Sequence, residues 1–130
     1  MIVFDEHWLT VRWDESLQAS FAEHKGYAEG AELRAGYNAI ISLCQRKRNR
    51  RHLGDARQLA PVSQADQRWI NTEVFPQLIG AGIRFMAIVS PKAAVARLTV
   101  RQVMSKVNEV SLVTHHFDDL EAARDWLRGV

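Results

Sequence analysis

The side chains able to do chemistry are few and scattered. There is one cysteine, Cys44, and the five histidines show no zinc-ligand spacing. Cys44 falls on the apolar stripe of an expected helix and reads as a small core residue. His115 and His116 are adjacent in an expected strand, so they point to opposite faces and do not chelate one metal. No Gly-x-Ser-x-Gly, P-loop or Gly-x-Gly-x-x-Gly occurs, and Gly80-Ala81-Gly82 is a lone turn before a strand. Nothing assembles a nucleophile, a base and an oxyanion hole. The sequence therefore points away from an enzyme and calls for no metal or cofactor.

Four places could bind something. The run Arg46-Lys47-Arg48-Asn49-Arg50-Arg51-His52 could meet phosphates, anionic lipid heads or an acidic protein. The same cations suit the end of a helix, where they complement its dipole. No aromatics interleave them for stacking on bases, so nucleic acid ranks last among partners. Asp55 and Arg57 lie where the next strand should end, which is where ligands gather in open α/β sheets. They could orient a polar head, cap the following loop or pair with neighbours. Ser63 opens a capping box with Asp66, and a helix N-terminus also tolerates a phosphoserine. Trp69, Phe75, Met86 and Met104 lie on elements that meet around the central strand; they are either ordinary core or the lining of an apolar pocket.

The elements that position these groups follow from periodicity. His7–Trp13 and Leu17–His24 alternate on either side of Asp14-Glu15-Ser16, giving an antiparallel hairpin. Leu33, Tyr37, Ile40, Ile41 and Cys44 form one helical stripe between Ala28 and Lys47. A short strand over Arg51–Ala56 precedes the Ser63 helix, which Pro76 should stop or bend near Phe75. Ile83–Val89 is almost continuously apolar, as in a strand covered on both faces. Ser90-Pro91 reads as a cap with an N1 proline, and Thr99 with Gln102 as a second box, so two short helical pieces are expected over Lys92–Leu98 and Val100–Val107. Val110–His116 is the last strand, and Asp118 should cap the final helix. The order predicts one α/β domain over residues 1–130, with a mixed sheet of about five strands and helices packed on it.

Composition agrees with that class. The chain has 130 residues, a mass of 14.8 kDa and a mean hydropathy of −0.22. No apolar run approaches the roughly 18–20 residues of a membrane span. The early acids Asp5 and Glu6 break up any secretory leader, and the single cysteine suits a reducing compartment, so a cytoplasmic protein is expected. The net charge is +2. Residues 1–45 hold three basic against seven acidic groups, residues 46–57 six against one, and residues 58–130 eight against seven, so one segment supplies the positive excess.

Several stretches resemble the bacterial SpoIIAA-like domains, which are related to STAS and CRAL-TRIO domains. They are Leu53–Leu59, Val62–Asn71, the Phe75-Pro76 step, Ala81–Val89, Val103–Val107 and Phe117–Leu127, with Trp13-Asp14-Glu15 and Lys25-Gly26-Tyr27 earlier. The resemblance covers nearly the whole chain, in packing patterns rather than a catalytic signature. It implies a non-catalytic role and a homodimer. One related role is a carrier of an apolar or amphipathic, lipid-like ligand. That role would put Trp69, Phe75, Met86 and Met104 in the site, Asp55 and Arg57 at its mouth, and Ser90–Thr99 as its gate. The chain is shorter than a full lipid carrier, so a pocket must be small or completed by a second subunit. The other role is a regulatory module of the anti-sigma-factor-antagonist type, with Ser63 and the basic run facing a protein partner. The antagonist motif reads Asp-Ser-Ser-Gly where this chain has Val62-Ser63-Gln64-Ala65.

Overall fold

The computed structural model describes residues 1–108 and 110–130. These form one six-stranded mixed sheet whose strands lie side by side in sequence order. β1 (Ile2–Glu6), β2 (Leu9–Asp14) and β3 (Ala19–His24) are an antiparallel meander. β4 (Arg51–Asp55), β5 (Phe85–Val89) and β6 (Val113–Phe117) then add in parallel to β3. The links are α1 (Gly30–Lys47) from β3 to β4, α2 (Gln64–Trp69) continuing through a π segment (Ile70–Val74) into α3 (Phe75–Ala81) from β4 to β5, and α4 (Ala94–Met104) from β5 to β6. α5 (Leu120–Arg128) follows the last strand. Among the described residues no helix is long and apolar enough to cross a membrane.

The α/β class with a mixed sheet is as expected, but there are six strands rather than five. β1 escapes a period-two reading because its register shifts between Ile2 and Phe4. That irregularity turns both Val3 and Phe4 toward the same core. A second correction concerns α4, which is one helix and not two pieces. Thr99 is buried on the same stripe as Ala96 and Val103, at spacings a helix face requires, so it packs instead of capping. Ser90 does not cap α4 either: the N-cap position is Ala93, without a side-chain bond, and Pro91 is buried in the loop before it. The cap of α5 is Asp119, one residue after the one expected, accepting from the Ala122 N–H at 2.8 Å.

The two faces of the sheet are covered unequally. The larger apolar cluster joins Leu9, Val11 and Met86 of the sheet to Leu33, Ile40, Phe75 and Val103 of α1, α3 and α4. The smaller one sets Phe21, Leu53 and Val89 against Ala123 and Leu127 of α5 alone. α5 is also held electrostatically. Arg124 donates to the buried Asp14 at 2.7 Å, and Asp14 also accepts from Ser16 Oγ and the Leu17 N–H. Burial would raise the Asp14 carboxyl, but these donors outweigh it and the net shift is downward.

α1 lies close over the start of β2 because Gly36 lets it. A Cβ there would stand 2.4 Å from Trp8 Cζ2, 2.6 Å from Cη2 and 2.7 Å from Leu9 Cδ2. Alanine would gain up to about 1 kcal/mol of helix propensity, yet the rigid indole has no room to give. Gly36→Ala is expected to destabilise by about 1–2 kcal/mol in urea unfolding, and a stabilised variant would contradict this packing.

Candidate functional site

The site grows out of β4. Leu53 faces α5, while His52 and Gly54 face the helical layer on the other side. With no side chain at Gly54, the middle of the sheet offers the helices a bare floor. A Cβ on Gly54 would meet nothing nearer than His52 Nε2 at 3.9 Å. The space above is a cavity of about 100 Å³, walled by Met86 and Ile88 of β5, Phe75 and Leu78 of α3, and Val103 and Met104 of α4. The π segment shapes its roof. Pro76 has no N–H to give, and the Phe75 N–H bonds to the Ile70 carbonyl five residues back. Ile70, Val74, Phe75 and Leu78 all turn toward the cavity as a result. Pro76 was expected to stop or bend the helix near Phe75; the helix instead passes through the π segment and runs on as α3 to Ala81.

Two imidazoles interrupt this apolar lining. His52 Nδ1 lies 2.7 Å from Ser20 Oγ, which also receives the Asn49 amide at 2.7 Å and has Cys44 Sγ at 3.4 Å. His24, at the end of β3, has its Nδ1 enclosed without a hydrogen-bond partner. Burial holds His24 at a pKa of about 4, against a weaker upward pull from Asp55. Burial, with His24 nearby, holds His52 at about 3. Both rings are therefore neutral near pH 7. Burial also pushes up the Tyr37 phenol and the Cys44 thiol, so neither supplies an anion.

Two further depressions adjoin the cavity. A polar cleft of about 200 Å³ shares His24 with it and is lined by Glu23, Asp55, Arg57, Gln58 and Lys92. There Arg57 grips Asp55 through two bonds, at 3.0 and 2.8 Å. Burial alone would raise the Asp55 carboxyl, but Arg57 outweighs it and lowers it. On the far side a groove of about 510 Å³ runs between α4 and the edge strand β6, with Arg97, Arg101 and His116 along it. Val100 and Met104 line both this groove and the cavity, so they are the partition between them.

The structure gathers Phe75, Met86 and Met104 around one space, and puts Asp55 and Arg57 in the polar cleft beside it. Trp69 stands behind: it meets Tyr37 edge-on at 6.3 Å, with the Arg34 guanidinium 5.2 Å from its ring. The segment 90–99 spans the loop into α4 and that helix's first half, of which Thr99 reaches the cavity wall. Ser63 is the exposed N-cap of α2; its hydroxyl bonds Asp66 Oδ2 at 3.0 Å, and Oδ2 also takes the Gly30 N–H that opens α1. The basic run does not converge. Lys47 lies over Trp13, Arg50 over Phe85, and Arg51 bonds the carbonyls of Leu127 and Val130 at the end of α5. Arg46 bonds the Ser42 carbonyl, and Arg48 is the left-handed cap of α1. His115 stacks on Trp126 at 4.6 Å while His116 faces the α4 groove. Among the described residues no group of three His, Cys, Asp or Glu side chains could hold a metal.

Sequence reasoning missed His24, His52, Tyr37 and Gly54. The alternation that puts Ala19 and Phe21 on one face leaves Ser20, Ala22 and His24 looking like a solvent face, although helices cover it. The usable signal is a small or polar residue alternating with apolar ones in a short strand set between two helices, as in His52-Leu53-Gly54.

The neutral histidines make stability depend on pH. Each has a folded pKa below its ordinary 6.5, so the unfolded chain takes up protons first. Their contribution is whole above pH 6.5 and lost as pH falls from there toward 4. Urea unfolding should show a loss on the order of 3 kcal/mol between pH 7 and 5. His24→Leu should remove about half of that slope, and an unchanged slope would contradict the assignment. Comparison of the sequence with known family models and with curated proteins finds no match in either.

Proposed function

We propose that the chain is a non-catalytic binding or carrier module for a small amphipathic molecule, in keeping with the SpoIIAA-like resemblance. The ligand's apolar part passes Met104 into the cavity, and its anionic head rests on Arg97 and Arg101 in the groove outside. The observation that carries this is the shared partition of Val100 and Met104 between an apolar cavity and a basic groove. Size decides the ligand. The cavity alone, at about 100 Å³, is smaller than the roughly 150 Å³ space that admits benzene. Joined to the groove it reaches the roughly 300–1,000 Å³ of ordinary ligand sites. Methionine suits the partition, being long, unbranched and easily repacked. A short acyl chain fits, whereas a full-length lipid would require α4 to move bodily.

A regulatory module switched at Ser63 is the second reading the sequence raises. Ser63 is exposed, but its hydroxyl is engaged with Asp66, and a phosphate there would stand against that carboxylate. The cavity has the better case.

Native mass spectrometry with butanoate through decanoate should give a saturable one-to-one complex, and the same spectra report the oligomeric state. Gly54→Val places a branched side chain in the cavity at a strand position with open space, so it should weaken binding at least tenfold without lowering thermal stability. Undiminished binding by Gly54→Val, or no binding at any chain length, would overturn the proposal.

A further inference from the structure

The cavity is apolar, yet its wall carries imidazole nitrogens that the protein leaves unpaired. His24 Nδ1 is enclosed and without a partner. His52 is held in one orientation through its other nitrogen, and the bonds around Ser20 fix where its proton sits. Asn49 Oδ1 accepts the Arg51 N–H at 2.9 Å, so the amide must turn its NH₂ toward Ser20 Oγ. Ser20 Oγ is then already an acceptor. Cys44 Sγ, 3.4 Å away, brings an S–H that needs an acceptor, and Oγ is the one beside it. The Ser20 hydroxyl proton then has two acceptors in reach, His52 Nδ1 at 2.7 Å and the Arg51 carbonyl at 3.4 Å, and the shorter contact takes it. Nδ1 thus accepts, and the ring proton is on Nε2. Nε2 is the atom lying 3.9 Å from the missing Gly54 side chain, on the cavity floor.

We infer that His52 presents a fixed Nε2–H donor inside the cavity, and that the buried end of the ligand carries a neutral hydrogen-bond acceptor, a carbonyl or ether oxygen. The inference rests on the cavity being a ligand site and names the chemistry that site selects. A carboxylate is excluded from this end: the walls supply no cation, and a charge sealed among Phe75, Leu78 and Met86 would have no partner. A plain hydrocarbon end would fill the space but leave the donor unpaired. An oxygen opposite Nε2 meets both demands, which is how a polar group on an apolar wall discriminates between ligands of one shape.

The test uses 2-butanone and its hydrocarbon isostere 2-methyl-1-butene, read by imidazole proton–nitrogen correlation spectra of the nitrogen-labelled protein. The free protein should show His52 protonated at Nε2. Butanone should shift that proton downfield in a saturable way, and the alkene should bind without doing so. In His52→Phe the butanone-to-alkene affinity ratio should fall about tenfold. A His52 protonated at Nδ1 overturns the inference, on the unmodified protein and without recourse to a variant. Equal responses to the two probes, or an unchanged affinity ratio in His52→Phe, also overturn it while leaving the cavity a ligand site. Binding of neither probe overturns it together with the proposed function.

Discussion

The sheet runs in sequence order, and the rest of the molecule follows from that constraint. A strand that steps to its parallel neighbour through a helix does so with one hand, so consecutive crossovers in one direction place their helices on one side. α1, the α2–α3 unit and α4 accordingly share a core, and α5, which is no crossover, is alone on the other face. Three helical bodies must then roof a sheet whose central strand alternates His52, Leu53, Gly54 and Asp55. Where that strand has no side chain, the helices cannot close down without losing their own contacts. The gap that results lies beneath α3 and α4, and beside the ends of the parallel strands.

Buried polarity is treated in two ways. Asp14, Asp55 and Asp66 each receive several donors, and the first two are held ionised by an arginine. They tie a turn to α5, a strand end to its loop, and α2 to the start of α1. The histidines of the cavity are handled differently. His24 Nδ1 is enclosed without a partner, and both rings are kept neutral at the expense of stability in acid. Architecture explains the first set; the proposed ligand would give the second a use.

Much of this was legible in the sequence. The hairpin, the long first helix, the Ser63 box and the apolar fifth strand all depend on local periodicity or capping, which one sequence displays. Thr99 and Asp118 were misread because a β-branched residue or an acid near an expected boundary resembles a cap until packing decides. β1 was missed because its irregularity hides the alternation. In the site, large residues were visible and small ones were not: Phe75, Met86 and Met104 stand out by size, while the cavity exists because of Gly54. Trp69 looked like lining because burial and lining have the same sequence signature. The basic run stands out by density, but its members fan out from a helix end: Lys47 and Arg50 lie over separate rings, while Arg46 and Arg51 bond backbone carbonyls.

The central claim is that the space over Gly54 is an apolar, ligand-accessible cavity. The most direct test is a crystal of the protein under xenon pressure, since xenon enters dry apolar cavities and needs no polar partner. The account predicts a xenon atom over Gly54, in contact with Met86 and Phe75, and its absence from Gly54→Val. Ordered water filling that space in place of xenon, or side chains collapsed across it, would contradict the account.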